Sequence, residues 1–267
     1  MWKRAAPIAF GYGTRVTDVT EILTRLGPCS VGMNTPIYKL WHFRLCPHSR
    51  SIRLALSETG TAFSLADERP WEWRPEFLAR NPAGELPVLE LPDGPVICGA
   101  YAISEYLADE GRRPAASVIT LSLFPGNRED RAEVRRLVDW FHGKLHREVT
   151  REMLHEKIYA RFADGPEHQP DTEMLRALRA NLRYHLSYIG FLAYQRRWLA
   201  GDEMSFADLA AAAHLSSLDY LAEVPWDEHP GVKDWYMRVK SRPALRALLA
   251  ERVPGTPPPL HYAELDF

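Results

Sequence analysis

The chain has little cysteine, almost no net charge and no long apolar run. Three cysteines in 267 residues cannot staple a fold of this size. Their odd number and wide spacing suit a reducing, cytoplasmic compartment rather than a secreted disulfide framework. Thirty-three basic and 35 acidic side chains leave a formal charge of −2, so neither a basic nucleic-acid surface nor an acidic tail protein is expected. No apolar stretch approaches the roughly 18 residues of a membrane helix, so membrane insertion is not expected. What is present is an ordinary globular balance, 46% hydrophobic and 25% charged, with length for two domains and a core that needs no metal or disulfide.

Residues 1–34 carry no convincing element. Ala5–Phe10 is mildly apolar, but Gly11 and Gly13 interrupt it too soon for a signal-peptide core. Asp18 and Glu21 argue against a mitochondrial presequence. The segment reads as an extension, disordered or not native, with Met33 as the physiological start.

Residues 35–111 alternate between strand and helix signals. Ile37–Phe43 is aromatic-rich and extended, and Ser49–Thr59 has helical spacing stopped by Gly60. Phe63–Ala66, Leu86–Leu91 and Pro95–Cys98 are further strands, with short helices at Pro75–Arg80 and Ala100–Asp109. The order β-α-β-α-β-β-α predicts an α/β layer with mixed strand directions. Two motifs bear chemistry. Cys46-Pro47-His48-Ser49 lies at a strand-to-helix turn, where the helix dipole and free N–H groups favour a thiolate; a small buried residue at a tight turn is the competing reading. Pro87 stands at the start of an apolar strand, where a cis bond or an edge position would accommodate it.

These motifs, with Asn81-Pro82-Ala83-Gly84-Glu85-Leu86-Pro87-Val88-Leu89 and the Ala102-Ile103-Ser104-Glu105-Tyr106-Leu107 helix, resemble the thioredoxin-like N-terminal domain of glutathione S-transferases. The resemblance implies a cis Pro87, Leu86 facing the cysteinyl part of glutathione, and Cys46 or Ser49 near its sulfur. It also exposes a departure. The helix that holds the γ-glutamyl end usually opens with Glu or Gln followed by Ser; here Gly99 and Ala100 offer no polar side chain. Each lost contact to a charged ligand end is worth about 1.5–3 kcal/mol, roughly tenfold to hundredfold in affinity. The expected glutathione site of Leu86, Pro87, Gly99 and Ala100 is therefore degenerate, with glutathione at most a weak ligand and no cofactor required.

Residues 112–128 read as a linker and 129–252 as an all-helical domain. Asp130–Phe162 and Asp171–Leu199 carry apolar residues at three and four spacing. Ser205 and Asp208 form a variant capping box ahead of an Ala-rich, buried helix, which also matches the C-terminal domain of the family. The implied fold is thus α/β plus all-α, a thioredoxin-like domain followed by a helical bundle. His142 and His146 are i,i+4 neighbours, but no third ligand is placed beside them, so a solvated helix face is expected and no metal site. Residues 253–267 form a Pro-rich tail ending in Leu260-His261-Tyr262-Ala263-Glu264-Leu265-Asp266-Phe267. Two readings stand: it docks on its own body, or Tyr262, Leu265 and Phe267 bind a partner.

The Gly99-Ala100-Tyr101 departure, the Trp226 region with Lys240-Ser241-Arg242-Pro243, and the tail resemble the branch of the family that serves bacterial cell division. That resemblance implies a homodimer that binds the FtsZ polymer and organises its filaments at the division site. An active glutathione-dependent transferase or thiol transferase using Cys46 or Ser49 is the alternative.

Overall fold

The computed structural model describes residues 37–92, 94–110, 121–163, 165 and 167–264. The expectations for Met33, Leu265 and Phe267 fall outside them. Among the described residues no helix is long and apolar enough to cross a membrane.

The strand-containing half follows the alternation in the sequence. Its elements are β1 (Tyr38–His42), α1 (Pro47–Glu58), β2 (Phe63–Asp67), α2 (Pro75–Leu78), β3 (Val88–Glu90), β4 (Val96–Cys98) and α3 (Ala100–Glu110). The sheet order is β2-β1-β3-β4. β1 runs parallel to β2 and antiparallel to β3, and β3 and β4 are antiparallel. The β1–β2 crossover is α1, as a parallel pair requires. Pro47 occupies the first turn of α1, where its missing N–H costs nothing.

The helical half opens at Asn127. Its side chain accepts from the Glu129 and Asp130 N–H groups while Asp130 returns a bond to the Asn127 N–H. This capping box starts α4 (Arg128–Asp139). The helical path then continues through a π-helical stretch (Trp140–Thr150), α5 (Arg151–Leu154), a second π stretch (His155–Tyr159) and α6 (Ala160–Ala163). Next come α7 (Thr172–Gln195), α8 (Phe206–Tyr220), α9 (Pro230–Lys240) and α10 (Pro243–Leu249). The end of the expected linker is structural: Leu123 and Phe124 are buried, and the Leu123 carbonyl accepts from the Phe206 N–H at 2.8 Å.

All residues of α8 are buried. A helix enclosed on every side needs apolar residues all round, and the run of Ala and Leu supplies most of them. Its head is tied by Asp208. That carboxylate accepts from the N–H groups of Leu199 (2.9 Å) and Ser205 (3.0 Å), from the Ser205 hydroxyl and from Trp235 Nε1 (3.0 Å). Burial pushes the Asp208 pKa up, against these bonds.

The tail from Val253 to Glu264 packs on this body. The Tyr220 hydroxyl accepts from the Val253 N–H and donates to the Thr256 carbonyl, both at 2.7 Å. Lys240 Nζ donates to the His261 carbonyl, and the His261 ring meets Asp219 at 3.0 Å. Tyr262 is fully buried, its ring edge-on to Tyr220 at 5.1 Å. The expectation that Tyr262 faces a partner is therefore corrected: an aromatic ring this size gains more by filling the space beside Tyr220 than by staying in water.

Two expected outcomes follow from buried polar groups. Asp208→Ala lowers stability by at least about 3 kcal/mol in urea unfolding, because several buried donors lose their acceptor. His42, on β1, is buried with Nδ1 unpartnered and Nε2 3.4 Å from Asp67. Burial and then Arg53 hold its pKa down at about 4, with Arg44 in the same direction and Glu251 and Asp67 opposing. The unfolded chain thus binds an extra proton between its ordinary value of 6.5 and about 4, so this contribution to stability falls as pH drops through that window. His42→Gln makes the pH slope of unfolding free energy shallower there, by at most about 1.4 kcal/mol per pH unit.

Candidate functional site

Two of the residues singled out in the sequence, Cys46 and Ser49, stand at the N-terminal end of α1. Cys46 is the N-cap residue of that helix, its carbonyl accepting from the Arg50 N–H at 2.9 Å. Ser49 is fully buried, and its side chain meets the Cys46 thiol. The Leu86–Pro87 bond is cis, as the family resemblance implied. The Pro87 carbonyl accepts from the Gly99 N–H at 2.9 Å, which joins the two stretches expected to frame glutathione.

The electrostatics of the thiol differ from the sequence expectation. Burial pushes the Cys46 pKa up. The Ser49 side chain, the backbone N–H groups of Ser49 and His48, and Arg50 oppose this without reversing it. The helix terminus is there, but desolvation outweighs it, so the ground state is a thiol. At the γ-glutamyl position Gly99 adopts φ +85°. A side chain there would meet open space but a strained backbone. Ala100 is buried. Neither residue offers a polar side chain to an amino-acid end.

Tyr101 follows Ala100 on α3. Its ring reaches from α3 to α4, where the hydroxyl donates to Asp139 Oδ1 at 3.2 Å. Burial, with Asp139 beside it, pushes the phenol pKa up. The same ring lies edge-on to His142 at 6.0 Å.

Behind Tyr101 is a cluster that the sequence reading missed. His48 of α1 and His214 of α8 are in ring contact with each other and with both His142 and His146 of the first π stretch. Centroids are 4.4 Å apart for His48–His142 and His48–His146, and 5.3 Å for His142–His214. The expected solvated face is corrected for His142, which is buried. Two physical causes account for it. A π-helical turn does not keep α-helical faces, and the covering residues come from α1 and α8, far away in sequence. The absence of a third ligand, on which the expectation of no metal site rested, is likewise corrected.

The hydrogen bonds of the cluster fix one arrangement of protons. The Ser51 hydroxyl donates to the His48 carbonyl at 2.8 Å, so it can only accept from His142 Nε2 at 3.0 Å. His142 Nδ1 then accepts from His214 Nε2 at 3.1 Å, and His214 Nδ1 accepts from the Thr150 hydroxyl at 2.9 Å. His48 Nε2 donates to the His142 carbonyl at 3.1 Å. Every ring in this chain is neutral. Burial is the main cause: it lowers His48 to about 4, His146 to about 3, and His142 and His214 well below the ordinary range.

Comparison with known proteins gives the frame. Residues 45–110 match the family model described as glutathione S-transferase, N-terminal domain, and residues 152–243 that described as glutathione S-transferase, C-terminal domain. The chain is 44% identical over 231 residues to FtsZ-localized protein A of Caulobacter vibrioides, which covers 85% of this chain and 97% of that protein. A crystal structure of a glutathione S-transferase from Sinorhizobium meliloti 1021 superposes with a TM-score of 0.80 at 45% identity. The structure of FzlA from C. crescentus does so with 0.80 at 44%. Each covers 86% of this chain and all of its own.

A buried thiol should react slowly. Iodoacetamide at pH 8 labels Cys46 at least about tenfold more slowly in the folded chain than in urea, read by peptide mass spectrometry. Equal rates would mean that the thiol is an accessible thiolate.

Proposed function

The chain belongs to the glutathione S-transferase family, and on that premise we propose that it is an FtsZ-associated division factor. As a homodimer in the cytoplasm it binds FtsZ polymers and organises their filaments at the division site. The observation that carries this reading is the 44% identity over 97% of FtsZ-localized protein A, whose name places it with FtsZ. A symmetric dimer presents each binding surface twice, so weak contacts to a polymer become strong by avidity.

The thiol site supports the same reading. Gly99 and Ala100 lack the polar side chains that hold a γ-glutamyl end, and the Cys46 thiol is raised by burial. Glutathione is at most a weak ligand and no cofactor is required. The transferase reading keeps the Cys46-Pro47-His48-Ser49 turn and the Leu86–Pro87 strand entry in its favour, with Cys46 or Ser49 activating the glutathione sulfur.

Two measurements test this. The chain sediments with GTP-assembled FtsZ and stays in the supernatant without polymer; recovery in the supernatant under both conditions overturns the proposal. Removal of residues 265–267 isolates the end of the tail, whereas a cut at Leu260 would also remove the buried Tyr262. In calorimetry, reduced glutathione binds no tighter than about millimolar. A micromolar constant would put the transferase first.

A further inference from the structure

The geometry points to a binding site for one divalent transition-metal ion at His48, His142 and His214, joining the strand-containing half of the chain to its helical half. One ring nitrogen from each of the three lies within 4.8 Å of the other two. Imidazole nitrogens suit zinc, copper, nickel and cobalt and select against magnesium and calcium. Three histidines with an open fourth position is an established zinc ligand set.

The distances are close to what coordination needs. Two nitrogens at about 2.0–2.1 Å from a tetrahedral ion are about 3.3–3.4 Å apart. His142 Nδ1 and His214 Nε2 already stand 3.1 Å apart. The remaining adjustment falls on His48, the least buried of the three, whose ring is held only by the bond from Nε2 to the His142 carbonyl and by ring contacts.

The proton arrangement allows the exchange without releasing a proton. The ion replaces the hydrogen shared by His142 and His214. His142 Nδ1 already carries a lone pair. The proton on His214 Nε2 moves to Nδ1, where Thr150 Oγ1 turns from donor to acceptor. His142 Nε2–H stays on Ser51 Oγ. Thr150 and Ser51 would then orient the ligating rings from behind, the usual task of outer partners at a metal site.

A second observation stands beside the ligand triangle. His146 lies edge-on to His48 at 4.4 Å, and its Nδ1 is buried with no hydrogen-bond partner. A buried, unpaired imidazole nitrogen is costly in a core that could have used an apolar residue. A water bound to the ion on the side of His48 would give that nitrogen a partner.

The test uses the untagged full chain, stripped with EDTA and titrated with Co²⁺ and then Zn²⁺. One equivalent of cobalt should give the visible band of a four-coordinate site, and zinc should displace it. His48→Ala should weaken binding at least about tenfold, while His168→Gln, a control outside the cluster, should leave it unchanged. No binding of cobalt at micromolar concentration, or binding that His48→Ala leaves intact, overturns the proposal. Should His48→Ala fail to fold, X-ray absorption of the wild-type zinc complex decides. Three or four imidazole nitrogens at about 2.0 Å support the site, and fewer than three overturn it.

Discussion

Everything else in this fold accommodates the complete burial of α8. A helix with no wet face must satisfy each of its polar side chains from inside the protein, and α8 carries several. Asp208 is met by Leu199, Ser205 and Trp235, His214 by His142 and Thr150, and Ser216 by Arg50. Asp219 is met by Trp226 and His261. These partners come from α1, the first π stretch, the approach to α8, α9 and the tail. The two halves of the chain are joined by polar ties to one buried rod as much as by apolar packing.

Much of this was legible in the sequence. The alternation before Gly111, the strand entry at Leu86–Pro87, the Ser205–Asp208 box and the Ala-rich helix behind it each state a local rule, and each appears in the structure within a few residues of where it was read. The histidine cluster was not legible. His48, His142 and His214 are separated by 94 and 72 positions, and no period links them. The i,i+4 spacing of His142 and His146 points to an exposed face only because no further ligand lies near them in sequence, whereas this stretch is π-helical and its ring partners come from α1 and α8. The thiol misled for a related reason: the helix N-terminus is a local feature, but the burial that outweighs it is supplied by distant residues.

The tail shows how the two readings of an aromatic chain end are decided. Prolines 257–259 carry the backbone past Tyr220, and the Tyr262 ring then enters the core. Leu260, two residues earlier, is almost fully exposed. Apolar composition alone cannot separate the two positions. The separation comes from Tyr220, whose hydroxyl binds the backbone on both sides of Pro254 and Gly255 and so sets where the following ring arrives. Arg44 and Arg53 extend the same seam, bonding the Arg252 carbonyl and Glu251 from the strand-containing half.

The enclosure of α8 also sets a kinetic property. Amide hydrogens exchange with solvent only when some opening brings water to them, and helices at a protein surface open by fraying. No face of α8 can fray toward water without moving α1, α4 or α9. Its amides therefore exchange through openings that involve both halves at once. In deuterium exchange the slowest signals in the molecule mark this helix, which lies between the strand-containing and helical halves.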